Sequence, residues 1–256
     1  RRGMAETALC SILRLMSSRV SHVFFDATDT LLRLQCPVGE TYARIARRHG
    51  VEVPVAALTK AFNRTAGAMT QDVAPGRSDE RIVRSERQWW YDIARGSFDG
   101  LATFEDFNSV FEELFDAYRE AAAWELLPHA RETLAQLQAM GISCSILSDM
   151  DSRLFPLLRS FGIEQFLENV FLSFRTGYCK PDRRAFRHAC EASQILPVDA
   201  VHVGDSWKKD VLGARSAGMQ AIWYRPQGAD EAHAPWIADL AELPQWLQRG
   251  WPEPSP

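Results

Sequence analysis

Val20-Ser21-His22-Val23-Phe24-Phe25-Asp26-Ala27-Thr28-Asp29-Thr30 is the stretch from which the rest of the chain can be read. Its first half is short, apolar, β-branched and aromatic, the composition of a buried strand. At Asp26 the apolar run stops and a polar turn follows, so the strand delivers a carboxylate to its own carboxyl end. The same event recurs further along. Residues 142–147 form a second apolar run, ending at Ser148-Asp149, and residues 200–203 a third, ending at Gly204-Asp205. Residues 169–174 and 219–224 read as two more strands. The intervening segments have helical periodicity: 130–140 closing at Gly141, 152–161 at Gly162, 181–193 opened by Pro181 in its first turn, and 209–217 closing at Gly218. Strands alternating with helices imply an α/β fold with a doubly wound, parallel, Rossmann-like sheet.

Between the first strand and the others the periodicity is helical throughout. Residues 40–49 close at Gly50, 55–69 follow Pro54, and 79–95 close at Gly96. Residues 103–123 carry Phe104, Phe107, Val110, Phe111, Leu114, Phe115 and Tyr118 at three- and four-residue steps, one apolar stripe. Glu105 and Asp106 fall in its expected first turn, where the helix dipole favours acids. These aromatics, and Trp89 and Trp90 with them, read as core. The division that follows is an extension over residues 1–21, an α/β core over 22–33 and 124–226, and a helical cap inserted over 34–123. A tail, 227–256, has Leu240, Leu243 and Trp246 at helical steps and packs back on the core.

Bulk properties narrow the function classes. A chain of 256 residues with 46% hydrophobic content can bury a full core and a small second domain. The net charge of −4 and the lack of a Lys/Arg stripe argue against nucleic acid, the basic run at 44–48 reading as a solvated helix face. No apolar run reaches the roughly 18 residues of a membrane span. Residues 7–20 lack a secretory cleavage site and read as an extension or a short surface helix. The cysteines, Cys10, Cys36, Cys144, Cys179 and Cys190, are odd in number and have no metal spacing, which suits free thiols in the cytoplasm.

In open α/β sheets ligands sit beyond the carboxyl ends of the strands. Here those ends carry residues 26–30, Ser148-Asp149 and Gly204-Asp205, with Lys180-Pro181-Asp182 opening a helix. A capping Asp at one strand end is ordinary, but four such elements on one edge read as a shared site. Asp26, Asp205 and Asp210 near one point repel each other unless a cation sits among them, and oxygen-only ligands suit Mg²⁺. Lys180 offsets the remaining charge and holds a phosphate, and Ser148 offers a hydroxyl to a phosphoryl oxygen. A carboxylate so placed can attack phosphorus, form an aspartyl-phosphate and release it to water. The expected ligand is therefore a small phosphorylated molecule. The six histidines show no triad or metal spacing. His202 reads as a hydrogen-bonded core residue, and Cys179 as a bland neighbour of Lys180.

Four stretches in this order resemble the motifs of the haloacid dehalogenase superfamily. They are Phe24-Phe25-Asp26-Ala27-Thr28-Asp29-Thr30-Leu31, then Ile146-Leu147-Ser148-Asp149, then Lys180-Pro181-Asp182, then Gly204-Asp205-Ser206-Trp207-Lys208-Lys209-Asp210 continued by residues 213–219. The resemblance covers about residues 22–226, and residues 29–34, 39–43 and 88–90 are similar to one group within the family. It implies a helical type-one cap, Asp26 as nucleophile and metal ligand, and Thr28 lending a backbone carbonyl to the metal. It also implies Ser148, Asp149 and Lys180 around the phosphoryl group, Thr28 beside the substrate, and Asp205 and Asp210 as further Mg²⁺ ligands.

One position departs from the pattern. Phosphatases of the family carry a second Asp two residues after the nucleophile, as proton donor and then base, where this chain has Thr28. A threonine hydroxyl is no acid near neutral pH, and losing a positioned acid/base costs roughly 10²–10⁴ in rate. Asp29 is one place further on, and in an extended turn it would face the other way. Three readings follow, in order of preference. They are a Mg²⁺-dependent phosphohydrolase of low or selective activity, a catalytically weak relative that binds a phospho-ligand or a protein, and a 2-haloacid dehalogenase.

Overall fold

The computed structural model describes residues 20–228 and 235–249. The extension expected over 1–21 lies almost wholly outside the described residues, as do Cys10 and His233. Among the described residues no helix is long and apolar enough to cross a membrane.

The central sheet has six parallel strands in the order β5-β4-β1-β6-β7-β8. They are β1 (His22–Phe25), β4 (Ser143–Ser148), β5 (Asn169–Leu172), β6 (Ala200–Gly204), β7 (Gln220–Tyr224) and β8 (Trp236–Ile237). Strand β1 is wholly buried, with β4 on one side and β6 on the other. Its side chains alternate between two apolar layers. Val23 and Phe25 join the larger cluster with Ile146 and Val203, and Phe24 joins the other with Leu147 and Phe186. Burial on both faces is why the strand reads as a continuous apolar run instead of an alternating one. Ile237, Leu240 and Leu243 belong to the larger cluster, with Trp246 packed against it.

Among the described residues, four α-helices lie within the inserted stretch, residues 35–123: α1 (Val38–Arg48), α2 (Val55–Ala68), α3 (Asp79–Phe98) and α4 (Phe107–Ala117). They share a third apolar cluster containing Tyr42, Ile45, Leu58, Phe98, Val110, Phe111 and Leu114. A short antiparallel ribbon, β2 (Leu32–Leu34) with β3 (Trp124–Leu126), joins this layer to the sheet domain. The ribbon has no signal in the sequence, because three residues cannot display a period.

Several expected boundaries move, each for a local reason. Helix α3 runs through Gly96 to Phe98, so Gly96 is no stop. A Cβ there would lie 2.8 Å from Thr65 Cγ2, so the glycine permits close approach of α2. Helix α4 begins at Phe107, with Asp106 as its cap, accepting from the backbone N–H of Asn108 and Ser109. Glu105 therefore precedes the helix, and Asp106 acts by capping. The helix after Lys180 is Arg183–Ala192, capped by Asp182, so Pro181 stands outside it. Strand β5 stops at Leu172 and gives way to a helical turn, Ser173–Thr176. The segment expected as one helix over 209–217 is a π-helical turn, Trp207–Leu212, followed by Gly213–Ser216.

Candidate active site

The loops after β1, β4 and β6 meet where strand order reverses about β1, the place an open parallel sheet leaves a crevice. Asp26 is the first residue past β1, and its backbone N–H donates to Val203 O at 2.9 Å. Lys180 Nζ lies 2.8 Å from Asp26 Oδ1 and 2.6 Å from Asp210 Oδ1, and all three side chains are almost completely buried. The π-helical turn sets Asp210 beneath the end of β6. A Cβ on Gly204 would come within 2.3 Å of Asp210 Cγ, so only glycine fits there. Asp210 also accepts from Ser206 N–H at 2.9 Å and sits 2.9 Å from His202 Nε2. His202 is fully buried with its edge against Phe186, the hydrogen-bonded core position expected of it, and it fixes Asp210 directly.

The electrostatics are those of crowded carboxylates around one cation. Burial and Asp210 push the Asp26 carboxyl above its usual range, against the pull of Lys180. Burial acts on Asp210 in the same sense, but Lys180 and His202 overcome it and hold that carboxyl well below the carboxylate range. Burial works to deprotonate Lys180, and Asp26, Asp210 and Asp149 together keep it charged. Asp205 makes no ion pair among the described residues, and Lys180 offsets its charge only weakly. Burial, then repulsion from Asp26 and Asp210, pushes it up to about 7.

These residues fit a divalent cation. Asp26, Asp205 and Asp210 each offer an oxygen, all within 4.8 Å of one another. Oxygen ligands about 2.1 Å from Mg²⁺ stand at most about 4.2 Å apart, so small side-chain rotations suffice. Three carboxylates face one lysine, a formal excess of negative charge that a bound cation would offset.

The remaining expected residues line the same space. Ser148 is buried, its Oγ accepts from Met150 N–H at 3.3 Å, and its own proton is left for a ligand. The Asp149 carboxylate accepts from Lys180 N–H at 2.9 Å and from Lys209 Nζ at 3.1 Å, tying three loops together. Thr28 is half-buried, and its hydroxyl donates to Met150 Sδ at 3.9 Å. Asp29 does not follow an extended turn. Its φ is 59°, left-handed, so the argument that turned it away fails, and it faces the same cavity as Asp26. Burial raises the Asp29 carboxyl, with Arg33 opposing. Cys179 is pushed up to about 11, chiefly by burial, which makes it a poor nucleophile.

The helical layer stands over this site, and between them lies a partly open cavity of about 950 Å³. Gln71 reaches down, donating to Asp149 O at 2.7 Å. Glu86 accepts from Ser152 N–H at 3.1 Å and Ser152 Oγ at 2.8 Å, and Trp90 Nε1 donates to Asp151. Trp89 and Trp90, expected in the core, are half-buried and line the cavity. Nothing in the linear pattern announces these contacts, since the partners lie 61–78 residues apart.

Parallel sheet, strand-end carboxylates and an inserted helical layer together define a class, and the chain belongs to the haloacid dehalogenase-like hydrolase family, whose model matches residues 20–218. Among curated relatives, haloacid dehalogenase-like hydrolase domain-containing protein 3 of Homo sapiens is 34% identical over 210 residues, spanning 80% of this chain and 82% of its own length. The Bos taurus protein of that name is 33% identical over 200 residues, spanning 77% and 79%. Solved structures share the fold. The HAD phosphatase of Thermococcus onnurineus has a TM-score of 0.63 at 22% identity, covering 89% of this chain and 97% of that one. The Bacillus subtilis HAD-hydrolase YfnB, whose structure is bound to magnesium, has 0.69 at 19%, covering 90% and 99%. The L-2-haloacid dehalogenase of Xanthobacter autotrophicus has 0.67 at 17%, covering 90% and 99%.

Proposed function

We propose that this hydrolase is a Mg²⁺-dependent phosphohydrolase of small phosphorylated molecules, working through an aspartyl-phosphate on Asp26 and selective for good leaving groups. The observation that carries the reading is the excess of negative charge at Asp26, Asp205 and Asp210 about Lys180, beside a cavity large enough for a substrate. A 2-haloacid dehalogenase needs no metal, and for it that crowding would be an uncompensated penalty. Free Cys36, Cys144, Cys179 and Cys190 suit a reducing compartment such as the cytoplasm.

In this reading Mg²⁺, when bound, supplies positive charge to the transferring phosphoryl group. Lys180 holds a phosphoryl oxygen and keeps Asp26 oriented through the 2.8 Å contact. Ser148 donates its hydroxyl proton to a second oxygen. An Asp26 oxygen forms the bond to phosphorus as the ester P–O bond breaks, and the leaving group departs with the electron pair. Water then attacks phosphorus, which frees the Asp26 carboxylate and releases inorganic phosphate and a proton. Thr28 can neither protonate the leaving group nor activate that water. Alkyl phosphates therefore react poorly, aryl and acyl phosphates better, and the aspartyl-phosphate persists.

The test is a panel of alkyl, aryl and acyl phosphates with and without Mg²⁺. The expected result is metal-dependent turnover that rises steeply as the leaving group becomes less basic, abolished by Asp26→Asn. Fast hydrolysis of an alkyl phosphate by the wild type, unchanged or slowed by Thr28→Asp, would overturn it and point to Asp29. A second reading, a phospho-ligand binder of weak activity, is favoured by the Thr28–Met150 contact, which leaves no acid at that position. It predicts tight phosphate binding with no turnover of any panel member.

A further inference from the structure

We infer that the cavity above Asp26 seats an uncharged aromatic group, so that the substrate class is monoesters of phenols; this rests on the phosphohydrolase reading of the same site. The first support is the character of the walls. Phe62, Met69, Trp89, Trp90 and Met150 are half-buried, and they face the cavity together with the more deeply buried Trp124. Trp89 stands edge-on to Trp90 at 4.7 Å, a geometry that fixes both rings before any ligand arrives. A space of about 950 Å³ walled in this way matches a ligand with a sizeable apolar body.

The second support is the state of the charges. Every cation lining the cavity already has a carboxylate. Arg153 pairs with Asp151 at 2.7 Å, Arg184 with Asp182 at 2.5 Å, Lys209 with Asp149 at 3.1 Å, and Lys180 with Asp26. Lys180 serves the phosphoryl group. Among the described residues lining the cavity, no cation remains for a second anionic group. A carboxylated ring, a bisphosphate or a nucleotide diphosphate would leave a charge unpaired against apolar walls, which is strongly unfavourable.

The third support separates aromatic from aliphatic esters, which apolar walls alone do not. The hydroxyl at the acid position, Thr28, is turned onto the Met150 thioether. At that position the wall therefore offers no acid to the leaving oxygen. An aliphatic alkoxide cannot leave there readily, whereas a phenoxide spreads its charge into the ring the walls receive. The missing acid and the aromatic walls select the same chemistry from two sides.

Binding can be read apart from turnover in the Asp26→Asn variant of this 256-residue chain with Mg²⁺, by calorimetry or tryptophan fluorescence. The ligands are 1-naphthyl phosphate, phenyl phosphate, 4-carboxyphenyl phosphate and inorganic phosphate. The naphthyl ester should bind about tenfold to hundredfold tighter than inorganic phosphate, from the burial of its ring. The carboxylated ester should bind about tenfold weaker than phenyl phosphate. Asn63 is exposed on the cavity rim, so Asn63→Arg on that background should fold and supply the absent cation. It should erase the carboxylate penalty and leave naphthyl binding unchanged. Equal affinity for naphthyl and inorganic phosphate, or undiminished binding of the carboxylated ester to the Asn63 parent, overturns the proposal. Wild-type hydrolysis of acetyl phosphate, which carries no ring, reports separately on Asp26. Acetyl phosphate turnover with no ring affinity refutes the seat and keeps the hydrolase. Ring affinity with no turnover of any phosphate supports the seat and defeats the hydrolase.

Discussion

Asp205→Asn should make the metal-free protein more stable while stripping it of most of its response to Mg²⁺. The carboxylate is half-buried with no ion pair among the described residues, its pKa pushed to about 7 by burial and by Asp26 and Asp210 against a weaker pull from Lys180. Keeping it ionised at pH 8 against an ordinary value of 3.8 is worth at most about 4 kcal/mol, at 1.36 kcal/mol per pKa unit. Solvent reaches part of the group, so screening brings this down to about 1–2 kcal/mol. For a chain of this length that is an increase in Tm of about 2–8 °C for the variant without metal. The penalty has a definite pH window. A carboxyl raised in the fold is free of penalty below its unfolded value of 3.8, loses stability as pH rises through 7, and carries the full loss above that. The advantage of the variant should therefore shrink as buffer pH falls from about 8 to about 5. With Mg²⁺ the order reverses. At a hundredfold excess over Kd the wild type gains about 2.7 kcal/mol, and the variant, with one ligand lost, gains clearly less. Thermal melts of both proteins, with EDTA and with Mg²⁺ up to about 10 mM, read all of this. A wild-type melt indifferent to Mg²⁺, or a variant less stable than wild type in EDTA with its full Mg²⁺ response retained, would refute the reasoning.

Further outcomes follow from the same geometry. Thr28→Asp should restore an acid beside the leaving oxygen and raise turnover by about 10²-fold or more, most for alkyl phosphates, in steady-state assays. Arg153→Ala should lower stability by about 3–5 kcal/mol in denaturant titrations, because it leaves Asp151 charged and buried between sheet and helices. Burial works to raise Asp151, but Arg153 holds it below its ordinary 3.8, so that pair's contribution should be complete above about pH 4 and lost in stronger acid. Gly204→Ala should destabilise by about 1–3 kcal/mol and blunt the Mg²⁺ shift, since its Cβ would displace Asp210.

The positions of Asp26, Ser148 and Asp205 at the sheet edge were legible in the sequence because each sits where an apolar run ends, and that of Lys180 because it stands shortly before a helix, Arg183–Ala192. Such transitions are local: a buried strand must be apolar, and where it stops the polar residues that follow sit at the edge of the sheet. The six-strand parallel sheet was legible, apart from the two residues of β8, for the same reason. Helix α4 was legible from its stripe, although its start was not, because the text does not distinguish an acid in the first turn from a cap one residue before it. Gly96 shows the limit plainly. In the sequence it looks like a stop, and the close approach of Thr65 makes it a packing residue.

The sequence by itself determined the kind of sheet, the inserted helical layer and the chemical character of the strand ends, since these follow from period and composition within a few residues. Only the tertiary structure decided the rest. It laid Lys180 between Asp26 and Asp210, turned Asp29 into the cavity through a left-handed backbone, and wound Trp207–Leu212 as a π-helical turn beneath Gly204. It also brought Trp89 and Trp90 out of the expected core to wall the space above Asp26. Each of these depends on groups far apart in the chain meeting at close range. Packing and electrostatics there are set by the sum of many long-range contacts, and no local run of residues records that sum.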